Sequence, residues 1–151
     1  MVNHPNRRKA CASVGSISQG TLLTADLVEA FSWELAHVGG KTKYRKLICD
    51  CDKWLETDED DRDDEIGNSL VSELGDVLNE YAPAYCYFGS HENDGAAFGF
   101  WPSMDAIDEL PRIEDCDGAL ARKLGEDCAY VNDHGNVTVY NARGRELLEL
   151  V

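Results

Sequence analysis

Basic residues are scarce in this chain. Lys and Arg number 14 against 29 Asp and Glu, for a formal net charge of −15 at pH 7. A chain so charged repels nucleic acid and anionic membranes at long range. Direct binding to either is therefore not expected. Long apolar runs are missing as well: none approaches the ~18 residues that a spanning helix needs. The opening residues, MVNHPNRRKACASVGSIS, lack the apolar centre of a signal peptide, so a cytoplasmic location is expected. In that compartment Cys11, Cys49, Cys51, Cys86, Cys116 and Cys128 read as free, partly buried thiols, not as a disulfide framework.

Other absences narrow the chemistry. There is no Gly-x-Ser-x-Gly, P-loop or GxGxxG, so the common nucleophile and nucleotide signatures are missing. Zinc ribbons favour cysteine pairs two to four residues apart. Cys49 and Cys51 are closer than that, and on a helix they point about 200° apart. A calcium EF-hand loop needs alternating oxygen ligands, a central glycine and a closing glutamate. A start at Asp58 puts Arg62 in a ligand position. A start at Asp61 puts Ile66 in the place of the glycine and Ser72 at the close. No metal site and no cofactor are expected.

What the chain does have is acid in one stretch. Of the ten residues Glu56–Glu65, eight are acidic and Arg62 is the one base. Residues 1–53 sum to +3 and residues 54–151 to −18. At 43% hydrophobic the chain is too apolar for a disordered protein. Residues 1–20 read as a flexible basic arm carrying Arg7, Arg8 and Lys9, and residues 21–151 as a single α+β domain.

Hydrophobic periodicity predicts three helices. In the first, Leu23, Leu27, Phe31, Leu35 and Val38 form the apolar face, Thr24 is the expected N-cap, and Gly39 and Gly40 stop the helix. Tyr44, Leu47, Ile48, Cys51, Trp54 and Leu55 stripe the second. Ile66, Leu70, Leu74, Val77, Leu78 and Tyr81 line the third, whose outer face repeats acid at Glu73, Asp76 and Glu80. The second half turns β-prone. AYCYFGS and AFGFWPS flank HENDGA as a hairpin with a loop of about six residues. Phe98 and Phe100 are expected in the core, and Tyr85, Tyr87 and Trp101 on the other face. A short helix is expected from Ser103 to Leu110 and a helical turn near Leu120. Two strands surround Asp133-His134-Gly135-Asn136, and Glu146–Val151 closes the sheet. The expected fold is α+β, with three N-terminal helices packed on one four- to five-stranded, mainly antiparallel sheet.

Two functional readings follow. In the first, the protein is not an enzyme. Asp58, Glu59, Asp60, Asp61, Asp63, Asp64, Glu73, Asp76 and Glu80 form a polyanion-like surface that engages a basic, nucleic-acid-binding protein. Asp105, Asp108, Glu109, Glu114, Asp115 and Asp117 are candidates to extend it. In the second, His91, Asp94, Asp133 and His134 converge at one end of the sheet as a general base or ligand site. Turn chemistry is the plainer reason for those residues. A structural protein that pairs through its aromatic sheet edge is a third possibility.

Two strings carry a resemblance. Phe88, Gly89, His91, Asp94 and Gly95 run into Gly99, Phe100 and Trp101, and a late Val131–Asn136 reads VNDHGN. In these the chain resembles a scattered family of small acidic proteins of bacteria, plasmids and phages, a family without an established activity. The likeness covers roughly residues 21–151. Glu92 stands where the family pattern has proline, which implies a looser loop here. The mobile-element setting implies counter-defence, such as inhibition of a restriction or CRISPR nuclease.

Overall fold

The computed structural model describes residues 12–151. Residues 1–11, the larger part of the expected basic arm, lie outside the described residues. The chain divides into two compact units, one ending at Pro102 and the other spanning Ser103–Val151.

The first unit holds β1 (Gly15–Ser18), α1 (Thr24–Gly39), α2 (Arg45–Glu56), α3 (Asp64–Asn79), β2 (Cys86–His91) and β3 (Asp94–Pro102). A single turn of 3-10 helix, Glu59–Asp61, sits between α2 and α3. The three helices arise from their apolar stripes. Leu27, Val28, Phe31 and Leu35 of α1 are buried, with Leu47, Cys51 and Trp54 of α2 and Leu70, Leu74 and Leu78 of α3. Each such large side chain stabilises the fold by about 1.5–3 kcal/mol relative to exposure. The sheet closes the core from the other side. Phe31 meets the Phe88 ring edge-on at 5.0 Å, and Phe88 lies 5.0 Å from the fully buried Phe100.

The strand order is β1-β3-β2, antiparallel throughout. Phe88 pairs with Phe100 and Gly89 with Gly99. Gly99 is required: a Cβ there would run into the carbonyl oxygen of Gly15, so β1 could not approach β3. The hairpin is tighter than expected. Only Glu92 and Asn93 separate β2 from β3, because side-chain contacts close the turn. Asn93 N–H donates to His91 Nδ1 at 3.0 Å, and Ala96 N–H donates to the Asp94 carboxylate at 3.0 Å. The Trp101 indole N–H donates to the Gly89 carbonyl at 3.0 Å.

The second unit holds α4 (Met104–Asp108), α5 (Gly118–Leu124), β4 (Cys128–Val131), β5 (Val137–Tyr140) and β6 (Glu146–Leu150). Its sheet runs β4-β5-β6, also antiparallel. All four residues of β5 are buried, as befits a central strand. Ala121, Cys128 and Tyr140 form one buried cluster in it, with Ile113 and Tyr130 packed against them, and Ile107, Ala129, Val139 and Leu148 are buried as well. Ser103 caps α4, and Asp117 caps α5 through Ala119 N–H.

The α+β class therefore holds, but not the expected architecture. There are five α-helices and two separate three-stranded sheets among the described residues, where one sheet of four or five strands was expected. The reason is local. β3 is flanked on both sides within the first unit, because Gly15–Ser18, read as part of the arm, forms β1 and takes its second edge. The later strands make their own sheet. Two smaller expectations also fail. Leu23, not Thr24, occupies the N-cap of α1; Thr21 holds this entry instead, accepting from Leu23 N–H and donating to Asp26. Ile66 is 52% exposed, because the buried position in that turn of α3 belongs to Gly67, against which Trp54 packs.

Candidate binding surface

The acidic stretch is built by two devices. The first is the cap of α3. Asp63 accepts from the backbone N–H groups of Glu65 and Ile66 at 2.9 and 3.2 Å. Its backbone carbonyl also accepts from the Trp54 indole N–H, 2.9 Å away. These contacts tie the start of α3 to the end of α2, so the acids between them are displayed from a fixed turn. Negative charge at this helix N-terminus is also favoured by the dipole.

The second device is Arg62. It does not neutralise its acidic neighbours. Its guanidinium donates to the carbonyls of Trp54 and Leu55, at 3.2 and 2.6 Å, and lies 5.1 Å over the Trp54 ring. The base within the run is thus spent on the open C-terminal carbonyls of α2.

All nine expected partner-binding residues are exposed: Asp58, Glu59, Asp60, Asp61, Asp63, Asp64, Glu73, Asp76 and Glu80. Among the described residues none of them is ion-paired to a Lys or Arg; the ion pair seen is Arg112 with Asp108, at 3.3 Å. On α3, a rotation of about 100° per residue places Glu65, Glu73, Asp76 and Glu80 within an arc of roughly 80°, while Asp64 lies about 100° away from Glu65. The stripe has a gap. Glu65 and Glu73 are separated by roughly 12 Å of helix rise, filled by Ser69 and Ser72. The surface is therefore two acidic clusters on one helix.

Glu73 also reaches α2. Burial pushes the Cys51 thiol up to about 12, and the charges of Asp52, Asp50 and Glu73 add to that shift. Asp50 and Asp52 are exposed and share this field. In the sequence they are hidden by their neighbours: they flank the apolar stripe of α2 on either side of Cys51, among Lys46 and Lys53. The proposed extension belongs to the second unit, and several of its members are engaged there. Asp108 pairs with Arg112, Asp115 accepts from Cys116 N–H, and Asp117 caps α5.

The histidine cluster loses its basis. His91 and Asp94 close the β2–β3 turn of the first unit; Asp133 and His134 occupy the β4–β5 turn of the second. The shared sheet that was to bring them to one end does not form. His91 stacks edge-on at 4.7 Å from Trp101. At the other turn, Asn132 accepts from the N–H groups of His134 and Asn136, and Gly135 supplies the positive φ. His91 and Asp94 are thus occupied with turn formation, and at the other turn Asn132 does the same work beside Asp133 and His134. Among the described residues no group of three His, Cys, Asp or Glu side chains could hold a metal ion.

The second unit has one notable polar contact. Cys116 Sγ and the Tyr140 hydroxyl lie 3.0 Å apart, and this hydrogen bond, with burial behind it, raises the Tyr140 hydroxyl's pKa. Cys49, Cys51, Cys86, Cys116 and Cys128 are free thiols. No helix among the described residues is long and apolar enough to cross a membrane.

Comparison with known proteins yields no match: no family model, no curated protein and no solved structure matches this chain.

Proposed function

We propose that this protein is a non-enzymatic binding protein whose acidic α2–α3 surface occupies the basic groove of a nucleic-acid-binding partner. One observation carries the reading: nine carboxylates stand exposed with no base among the described residues paired to them, and Arg62, within the run, is turned inward onto Trp54. A patch kept bare in this way retains its field for a partner. Eight carboxylates within the ten residues Glu56–Glu65 offer a basic surface that evolved for phosphates a concentrated run of negative charge. The mobile-element setting of the family it resembles makes a defence nuclease the partner class to test first.

The test is affinity capture from a bacterial lysate at low salt, with elution by a salt gradient. The wild-type chain is compared with a variant carrying Asn at Asp58, Asp60, Asp61, Asp64 and Asp76. The expected result is a nucleic-acid-binding protein that elutes with salt, is displaced by added duplex DNA, and is lost with the variant. Retention of the same partners by the variant, at high salt, would overturn the reading.

A further inference from the structure

The first unit has a concave feature that shares no residue with the acidic stripe. It is an open groove of about 590 Å³ between β1 and α1. Ser16 and Ile17 form one wall; Asp26, Glu29, Trp33 and Glu34 form the other. The geometry points to a docking groove for an extended, basic peptide segment of a partner protein, added to β1 as a further strand.

Three features argue for this occupant. First, β1 ends its sheet: it pairs with β3 on one side, and no strand among the described residues covers its other edge. The edge carries neither lysine nor proline, the usual guards against strand addition. Backbone pairing there supplies affinity without demanding a particular sequence. Second, the helix wall is acidic. Asp26, Glu29 and Glu34 all line the groove, and among the described residues none of them is ion-paired to a Lys or Arg. A strand added to β1 would meet these carboxylates with the Arg or Lys side chains it directs toward α1.

Third, Trp33 is 71% exposed, an unusual cost for a large aromatic residue on a helix. His37 stacks parallel to it at 6.0 Å and steadies the ring. A steadied indole lining an acidic groove is a platform for a guanidinium. Val14, Leu22 and Leu23, which flank β1 in the chain, are also exposed.

The test uses the full chain and a blocked heptapeptide of alternating Arg and Val, titrated calorimetrically at about 0.15 M salt, where diffuse attraction is screened. Binding is expected, weakened roughly tenfold by Trp33→Ala and by Glu29→Gln with Glu34→Gln. The five-Asn stripe variant should bind as wild type, which separates this groove from the α2–α3 reading. A peptide N-methylated at alternate amides, unable to pair with β1, should bind at least roughly tenfold more weakly. Equal binding of the N-methylated peptide, or no effect of the groove substitutions, overturns the proposal. So does binding that emerges only when Arg7, Arg8 and Lys9 are replaced by Ser, since the groove would then belong to the chain's own arm.

Discussion

The guanidinium of Arg62 lies 5.1 Å above the indole of Trp54 while donating to the Trp54 and Leu55 carbonyls. One side chain thereby closes the C-terminus of α2 and leaves the acids on either side of it bare. Arg62→Ala should destabilise the protein by about 1–2 kcal/mol, the sum of charged hydrogen bonds and a partly exposed cation–π contact. Arg62→Lys, which lacks the planar fork, should fall between. Urea unfolding followed by circular dichroism measures both. An Ala variant within about 0.5 kcal/mol of wild type would show that the contact holds nothing in place.

Gly67 presents the opposite case, where a local rule and a packing contact conflict. Helix propensity alone predicts that Gly67→Ala would stabilise α3 by about 1 kcal/mol. The new Cβ would strike the Trp54 ring. Moving the ring would break the indole hydrogen bond to the Asp63 carbonyl, and with it the joint between α2 and α3. The expected outcome is a net loss of about 1–3 kcal/mol. In a Trp54→Phe background the smaller ring yields space, so the same substitution should cost less. A double-mutant cycle that shows no coupling would contradict this account.

These two residues also mark how far the sequence could be read. The helices were legible because Leu27, Phe31, Leu35, Leu70, Leu74 and Leu78 recur at helical spacing and are buried where that spacing places them. The exposed acids were legible for the same reason, read from the opposite face. Sheet membership was not. GSIS has no apolar alternation to announce a strand; β1 exists because Gly99 lets the backbone of Gly15 and Ser16 approach β3, a relationship between residues far apart in the chain. One unforeseen strand then divided the expected sheet into two, and the His/Asp cluster lost its scaffold. Ile66 misled by fitting the stripe while Gly67 received Trp54. The inward turn of Arg62 is a tertiary fact that charge counting cannot supply.

The thiols offer a test of which side chains are buried. Cys49 and Cys116 are exposed, whereas burial pushes Cys51 up to about 12 and Cys86 up to about 11. In the native protein, at about pH 8, a thiol reagent should modify Cys49 and Cys116 first, since the thiolate is the reactive form. Mass spectrometry of partly labelled protein reads the order. A raised thiol pKa in the folded state has a sign. Its stabilising contribution is complete below the ordinary value of 9.0 and is lost as pH rises through the folded value. Stability should therefore decline between pH 9.0 and about 12, and Cys51→Ala should flatten that decline. Rapid labelling of Cys51 in the native state would show that its site is open.

The bare acidic patch should itself cost stability, and salt should reveal it. Like charges one helical turn apart destabilise by about 0.2–0.5 kcal/mol per pair. Asp76 and Glu80 stand at that spacing, as do Glu73 and Asp76, and Glu56–Glu65 is denser still. The screening length is about 30 Å at 0.01 M and about 3 Å at 1 M. The roughly 12 Å between the two clusters on α3 is therefore screened early in such a titration, and the contacts within each cluster late. Thermal stability should rise continuously with sodium chloride over this range. The five-Asn variant should begin higher and gain less, because the repulsion is already gone. A fall in stability with salt would mean that favourable ion pairs outweigh repulsion, and that the carboxylates are not free for a partner. The same substitutions are expected to raise stability and abolish capture of the partner. That opposition separates a surface kept for binding from one that merely keeps the protein in solution, where neutralisation would raise stability and leave capture unchanged.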